Sequence, residues 1–162
     1  MKRKSLVAVF AFATLTLSAC SSVDLSKDNM TTGADTPSIE AALNSKDGPL
    51  AQKSVYFDFD SYTISPEYLP VVTNHAKFLS VNKNLKVTLE GNTDERGGRE
   101  YNLALGQKRA EAVKQRMTLL GVSPDQIETV SFGKEKPVAF GQDEESYSLN
   151  RRVDIRYTLP TN

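Results

Sequence analysis

The spacing of apolar residues along the 162-residue chain changes period several times, and each change marks an element. Val55, Phe57 and Phe59 alternate with Tyr56, Asp58 and Asp60, the two-residue period of a strand with one buried face. Ser65-Pro66-Glu67 reads as a helix start, with a cap, a first-turn proline and an acid at the positive end. That helix repeats at Tyr68, Val71/Val72, His75/Ala76 and Leu79, which sets His75 on or beside the apolar stripe as a structural histidine. Leu85, Val87 and Leu89 alternate again, a second strand ending at Gly91. Beyond the loop Asn92–Gly98, Leu103, Gly106, Ala110, Val113, Met117 and Leu120 recur at helical spacing, one continuous buried stripe. Gly121 is placed to end that helix in a left-handed turn, and Ser123-Pro124-Asp125-Gln126 resembles a capping box opening a short helical turn. A third strand follows at about 127–133, and Val153, Ile155 and Tyr157 alternate in a fourth. The order β-α-β-α-β-β makes residues 54–162 one α+β domain, with two helices layered on one face of a sheet.

The N-terminus follows a different pattern. Lys2, Arg3 and Lys4 precede an apolar run from Leu6 to Leu17, which is too short for a membrane-spanning helix of about 20 residues and has the length of a signal-peptide core. It ends in Leu17-Ser18-Ala19-Cys20, which resembles the lipobox of bacterial lipoproteins. That resemblance implies removal of residues 1–19 and lipid on the sulfur and new amino group of Cys20. Ser21, standing where an Asp often retains such proteins in the inner membrane, favours a lipid anchor in the outer membrane, facing the periplasm. Residues 20–53 then read as a lipidated flexible tether, too polar to offset its ordering entropy, with one short helix possible after Thr36-Pro37 through Leu43.

Composition narrows the chemistry. Twenty Lys and Arg balance twenty Asp and Glu, and without residues 1–19 the chain is mildly acidic, which argues against nucleic-acid binding. The single Cys excludes a disulfide framework and a cysteine-cluster zinc site, and no cofactor motif or metal cluster is legible.

Two polar clusters remain. The loop Gly91-Asn92-Thr93-Asp94-Glu95-Arg96-Gly97-Gly98 carries more charge and glycine than a turn requires. On the long helix, Asn102, Leu105 and Arg109 lie close together in angle beside the buried stripe, and a semi-buried Arg109 needs a partner or an anionic ligand. Asp94 can face the same hollow. One carboxylate and one guanidinium around one pocket complement a zwitterion, an amino-acid-like group. The ordinary alternatives are an internal salt bridge from Arg109 to Glu95 or Asp60, and a helix N-terminal charge for Asp94. Of Arg151 and Arg152, one can reach the pocket rim, or both can pair with Asp143, Glu144 or Glu145.

Taken together, Val55-Tyr56-Phe57-Asp58-Phe59-Asp60, Glu90–Gly97, Tyr101-Asn102, Gln107-Lys108-Arg109-Ala110, Gly133–Pro137 and Tyr147–Val153 resemble the OmpA-like C-terminal domain family, in its lipid-anchored peptidoglycan-associated branch. The resemblance runs from about Val55 to Tyr157. It implies a two-layer sandwich with helices on a four-stranded mixed sheet, and a non-enzymatic module that binds peptidoglycan. In that family the matching Asp and Arg hold the diaminopimelate of a stem peptide; here they are Asp94 and Arg109. Phe59, Asp60 and Leu105 would line the same pocket, and Asn102 opens the family's helix motif. Two positions depart from the family pattern: Gly106 replaces a Ser, and Gly98-Arg99 replaces a Thr-Pro. The resemblance further implies the propeller protein TolB and the other Tol–Pal components as partners, on a surface overlapping residues 92–101, and a role in envelope integrity and constriction at cell division. The competing class is a cell-wall hydrolase with Asp60 and Asp94 as paired carboxylates.

Overall fold

The computed structural model describes residues 36–159; the expected signal sequence, Cys20 and the first part of the tether lie outside the described residues. Strands β1 (Ser54–Tyr56), β2 (Lys86–Asn92), β3 (Ile127–Gly133) and β4 (Arg152–Thr158) form one sheet in the order β1-β4-β2-β3. β4 runs antiparallel to both β1 and β2, whereas β2 and β3 are parallel, so the sheet is mixed. The parallel pair follows from the helix that connects them, since parallel strands need a long crossover.

Register places Val55, Val87, Leu89, Ile127, Val153 and Ile155 on one face. Helices α2 (Leu69–Val81) and α3 (Arg99–Leu119) cover that face, burying Val72, Ala76 and Leu79 from α2 and Ala110, Val113 and Met117 from α3. Gly121 ends α3 with φ 94°, the left-handed turn expected of it. The approach of α3 to the sheet is closest at Gly91 and Gly106, where a Cβ on Gly91 would stand 2.0 Å from the Gly106 carbonyl oxygen. A Cβ on Gly106 would meet the Ser131 Oγ at 2.3 Å, which can rotate away, and the Gly91 backbone carbonyl oxygen at 2.9 Å, which cannot, so a serine at Gly106 requires the helix to shift off the strand.

Four local expectations are revised. The first strand stops at Tyr56; Phe57 is buried, but Phe59 is exposed and Asp60 adopts φ 55°, because a turn from Asp58 to Ser61 interrupts the ladder. The helix expected from Ser65 begins as a separate 3-10 turn, Pro66–Tyr68, with no cap bond from the Ser65 side chain, and the α-helix starts only at Leu69. Pro70 explains the break, since it has no N–H to donate to Pro66 and is tolerated only in a first turn. A further helix, α4 (Glu144–Asn150), lies between β3 and β4, with the Asp143 carboxylate accepting the Ser146 N–H at 2.7 Å as its cap. Part of the segment expected as tether is packed: helix α1 (Thr36–Asn44) and the turn after it bury Ile39, Leu43 and Leu50 against the core. Three apolar anchors suffice there because the folded domain supplies the surface they cover.

His75 is fully buried. The Gln52 carbonyl can only accept, so Nε2–H donates to it at 2.9 Å, and Nδ1 accepts the Tyr157 hydroxyl at 2.7 Å. Both ring nitrogens are thus used in structure. Burial pushes the imidazole pKa below its ordinary 6.5 despite the Gln52 bond.

Candidate functional site

At the end of the sheet where β2 delivers its loop, a cavity of about 250 Å³ opens. Phe59, Asp60, Asp94, Asn102, Leu105 and Arg109 all line it, so the six residues singled out in sequence come together around one hollow. Thr93, Arg96, Gly97, Tyr101 and Arg151 complete the wall.

Arg109 is the deepest of them. Its Nε donates to the Ser61 carbonyl at 2.7 Å, Nη1 to Asn92 at 2.9 Å and Nη2 to Asp58 at 3.0 Å. The turn at Asp60 turns two of those carbonyls toward it. A guanidinium has five N–H donors, so two remain. No carboxylate lies within salt-bridge distance of Arg109 among the described residues, and neither Glu95 nor Asp60 is its partner. Burial, then the neighbouring Arg151 cation, lowers its pKa to about 10. At neutral pH it is a buried cation without a counter-charge of its own.

Asp94 is also buried but differently partnered. Its Oδ2 accepts Arg96 Nη2 at 2.6 Å and Arg151 Nη1 at 3.3 Å, and its Oδ1 accepts the Arg96 backbone N–H at 3.2 Å. Burial pushes this carboxyl up, but the bonds from Arg96 and Arg151 outweigh it and hold the pKa below the ordinary carboxylate range. α3 begins at Gly98–Arg99, so Asp94 does not serve as its cap.

The Arg96 guanidinium carbon stands over two rings, 4.2 Å from the Phe59 centroid and 4.3 Å from that of Tyr147. Phe59, lost to the core, is thereby recruited to the site through cation–π contact. Asn102 fastens the loop to α3 by donating from Nδ2 to the Arg96 carbonyl at 2.9 Å. The Tyr101 hydroxyl bonds the Asp60 carboxylate across the mouth. Of the two arginines at the start of β4, Arg151 reaches the cavity while its Nη2 pairs with Glu144 at 2.6 Å, so the rim and ion-pair readings both hold for it. Arg152 points to the other face of the sheet and pairs with Asp154 at 3.0 Å. Sequence reasoning missed Arg96, Tyr101 and Tyr147 as site residues. Arg96 lay within the loop already singled out, but its role depends on rings from two distant segments.

Three arginines and two aspartates line the hollow, an excess of positive charge with one anchored carboxylate. This mixed sheet with α2 and α3 on one face and a charged cavity at its edge defines a class. Residues 56–151 match the model of the OmpA family, and the chain belongs to that family. Its relatives there are peptidoglycan-associated lipoproteins. That of Pseudomonas putida is 49% identical over 124 residues, covering 76% of this chain and 74% of its own length. That of Pasteurella multocida is 42% identical over 159 residues, covering 97% and 100%. The crystal structure of the peptidoglycan-associated lipoprotein from Burkholderia pseudomallei matches with a TM-score of 0.71 at 54% identity, over 72% of this chain and 99% of that one. The C-terminal domain of Helicobacter pylori MotB, 23% identical with a TM-score of 0.61 over 67% of this chain and 86% of that one, shares the fold.

Proposed function

We propose that the cavity binds peptidoglycan non-covalently, gripping the diaminopimelate of the stem peptide, and that a lipid on Cys20 makes the chain a link between outer membrane and wall. The observation that carries this reading is Arg109: a buried guanidinium, two donors to spare, no carboxylate of the protein against it. Diaminopimelate ends in an ammonium and a carboxylate on one carbon. The carboxylate can take the two remaining Arg109 N–H groups, and Oδ1 of Asp94 keeps lone-pair capacity for the ammonium. Each such charge-assisted bond is worth about 1.5–3 kcal/mol. The names of the relatives, peptidoglycan-associated lipoproteins, support peptidoglycan as the ligand.

Calorimetric titration of the chain from Ser21 onward tests it, with a diaminopimelate-containing stem peptide against its lysine analogue. Lysine lacks the second carboxylate, so binding of the first alone is the expected result. No binding to either peptide, or equal binding to both, would overturn the reading.

The hydrolase alternative needs one carboxyl kept protonated as a general acid. Asp94 is held ionised by two arginines, and Asp60 accepts from Tyr101. A non-catalytic binding module, with no cofactor, accords better with these partners. In the same reading TolB and the Tol–Pal system are the protein partners, TolB using a surface that overlaps residues 92–101. The chain would then support envelope integrity and constriction at division. Competition between TolB and sacculi is the expected result; simultaneous binding without loss of affinity would remove the overlap.

A further inference from the structure

A second, smaller cavity of about 130 Å³ lies on the far side of the loop 93–97, lined among others by Thr93, Glu95, Lys134, Phe140 and Tyr147. Thr93 also lines the main cavity, so the two hollows share a wall residue. Lys134 is half-buried, and its Nζ donates to the carbonyls of Glu95 at 3.1 Å and Gly97 at 2.9 Å. An ammonium has three N–H groups, which leaves one. No carboxylate stands within 4 Å of it among the described residues. Glu95 lines the same cavity but its Oε1 is turned to another lining residue, accepting the Tyr147 hydroxyl at 3.2 Å.

The opposite wall is equally fixed. Asn150 accepts the backbone N–H groups of Val138 at 2.8 Å and Ala139 at 3.2 Å, and donates to the Ala139 carbonyl at 2.8 Å. This bracket holds Phe140, 86% exposed, at the edge of the cavity. A pinned cation with a spare donor, facing an apolar platform in a hollow the size of one residue, has the chemistry of a carboxylate subsite.

We propose that this cavity is a second subsite of the same ligand, in which Lys134 takes the carboxylate of a residue adjoining the diaminopimelate. The inference rests on the peptidoglycan reading above. Two sources carry the required group. The γ-linked D-glutamate on one side keeps its α-carboxylate free, and the D-alanine on the other ends in one. The shared chemistry is a single anionic carboxylate next to a short apolar stem, with Phe140 covering that stem.

The purified full chain in detergent is titrated with three diaminopimelate stem peptides: the unmodified tetrapeptide, the form amidated at the D-glutamate α-carboxyl, and the tripeptide without D-alanine. The unmodified tetrapeptide engages both subsites but depends first on the main one, so no binding at all would count against the primary reading, whereas equal binding of the three peptides counts against this one. Given that binding, amidation or truncation weakens it by about five- to tenfold, and whichever does so identifies the source. Lys134→Met then weakens the unmodified peptide by the same factor and leaves the sensitive analogue unchanged. Lys134→Arg retains most of the preference. A Lys134→Met chain that loses all three peptides equally shows only a damaged loop, and overturns the subsite. So does a wild-type chain that binds the three alike.

Discussion

Replacing Gly91 with alanine tests how the packing of α3 sets the site. The added Cβ would stand 2.0 Å from the Gly106 carbonyl oxygen, where ordinary contact begins at 3.4 Å, so strand and helix must separate by about 1.4 Å. Neither atom belongs to a flexible side chain, and the strain cannot be absorbed locally. Arg109 sits three residues beyond Gly106 on the same helix, and its Nη1 reaches Asn92, the neighbour of Gly91, at 2.9 Å. An opening of that size takes this bond beyond hydrogen-bond range. Overpacking costs about 1–3 kcal/mol. The lost bond from a charged donor adds about 1.5–3 kcal/mol. The sum, about 2.5–6 kcal/mol, is a large part of the 5–15 kcal/mol typical of a domain. Urea unfolding of Gly91→Ala is expected to show a lower midpoint with an unchanged slope, and the folded fraction is expected to lose affinity for the stem peptide. Gly98→Ala serves as the control, since nothing lies within 4 Å of its Cβ; its cost should stay below about 1 kcal/mol. A Gly91→Ala protein within about 1 kcal/mol of the parent would refute the argument that this contact positions Arg109.

Arg109→Ala and Asp94→Ala should each weaken pull-down on peptidoglycan sacculi at least tenfold, and unchanged retention would sink the assigned roles. Arg151→Met should weaken stem-peptide binding while Arg152→Met lowers stability and leaves affinity alone, because only Arg151 touches Asp94; equal effects on binding would contradict this. His75 gives a pH signature. Its folded pKa lies below 6.5, so the unfolded chain takes up the proton more readily, and its stability contribution is complete above 6.5 and lost as pH falls below that value. Stability measured from pH 7 down to 5 should decline in the parent and decline less in His75→Gln. The Asp94 contribution is lost only below its ordinary 3.8, outside that window.

That six residues would gather around one cavity was legible because the two polar clusters flank one strand–loop–helix unit, where neighbours in sequence are neighbours in space. Arg109 could be placed beside the buried stripe from helical angle alone. Its three carbonyl partners could not, since Asp58, Ser61 and Asn92 lie 17 to 51 residues away. Phe59 misled because alternation continues through a turn that only the left-handed Asp60 reveals. Helix α4, with seven residues, is too short to show an apolar stripe; its one local signal was Asp143 followed by two acids. The docking of 36–50 was hidden for a different reason: Ile39, Leu43 and Leu50 look isolated until the core that receives them exists.

The place of β1 at the sheet edge has a mechanical consequence. If the chain is anchored ahead of residue 36 and held at the cavity, tension runs along β1, whose pairs with β4 are then sheared together instead of being unzipped singly. The stretch before it, 36–52, is joined to the core by three apolar side chains and few hydrogen bonds, among them Gln52 to His75. It should yield first, freeing a contour of about 55 Å from 17 residues. Force-clamp extension with a preliminary step of that length less the span of the folded segment, before the sheet ruptures, is the expected record. Under that loading the segment would act as a shock absorber, letting out slack while the cavity stays folded.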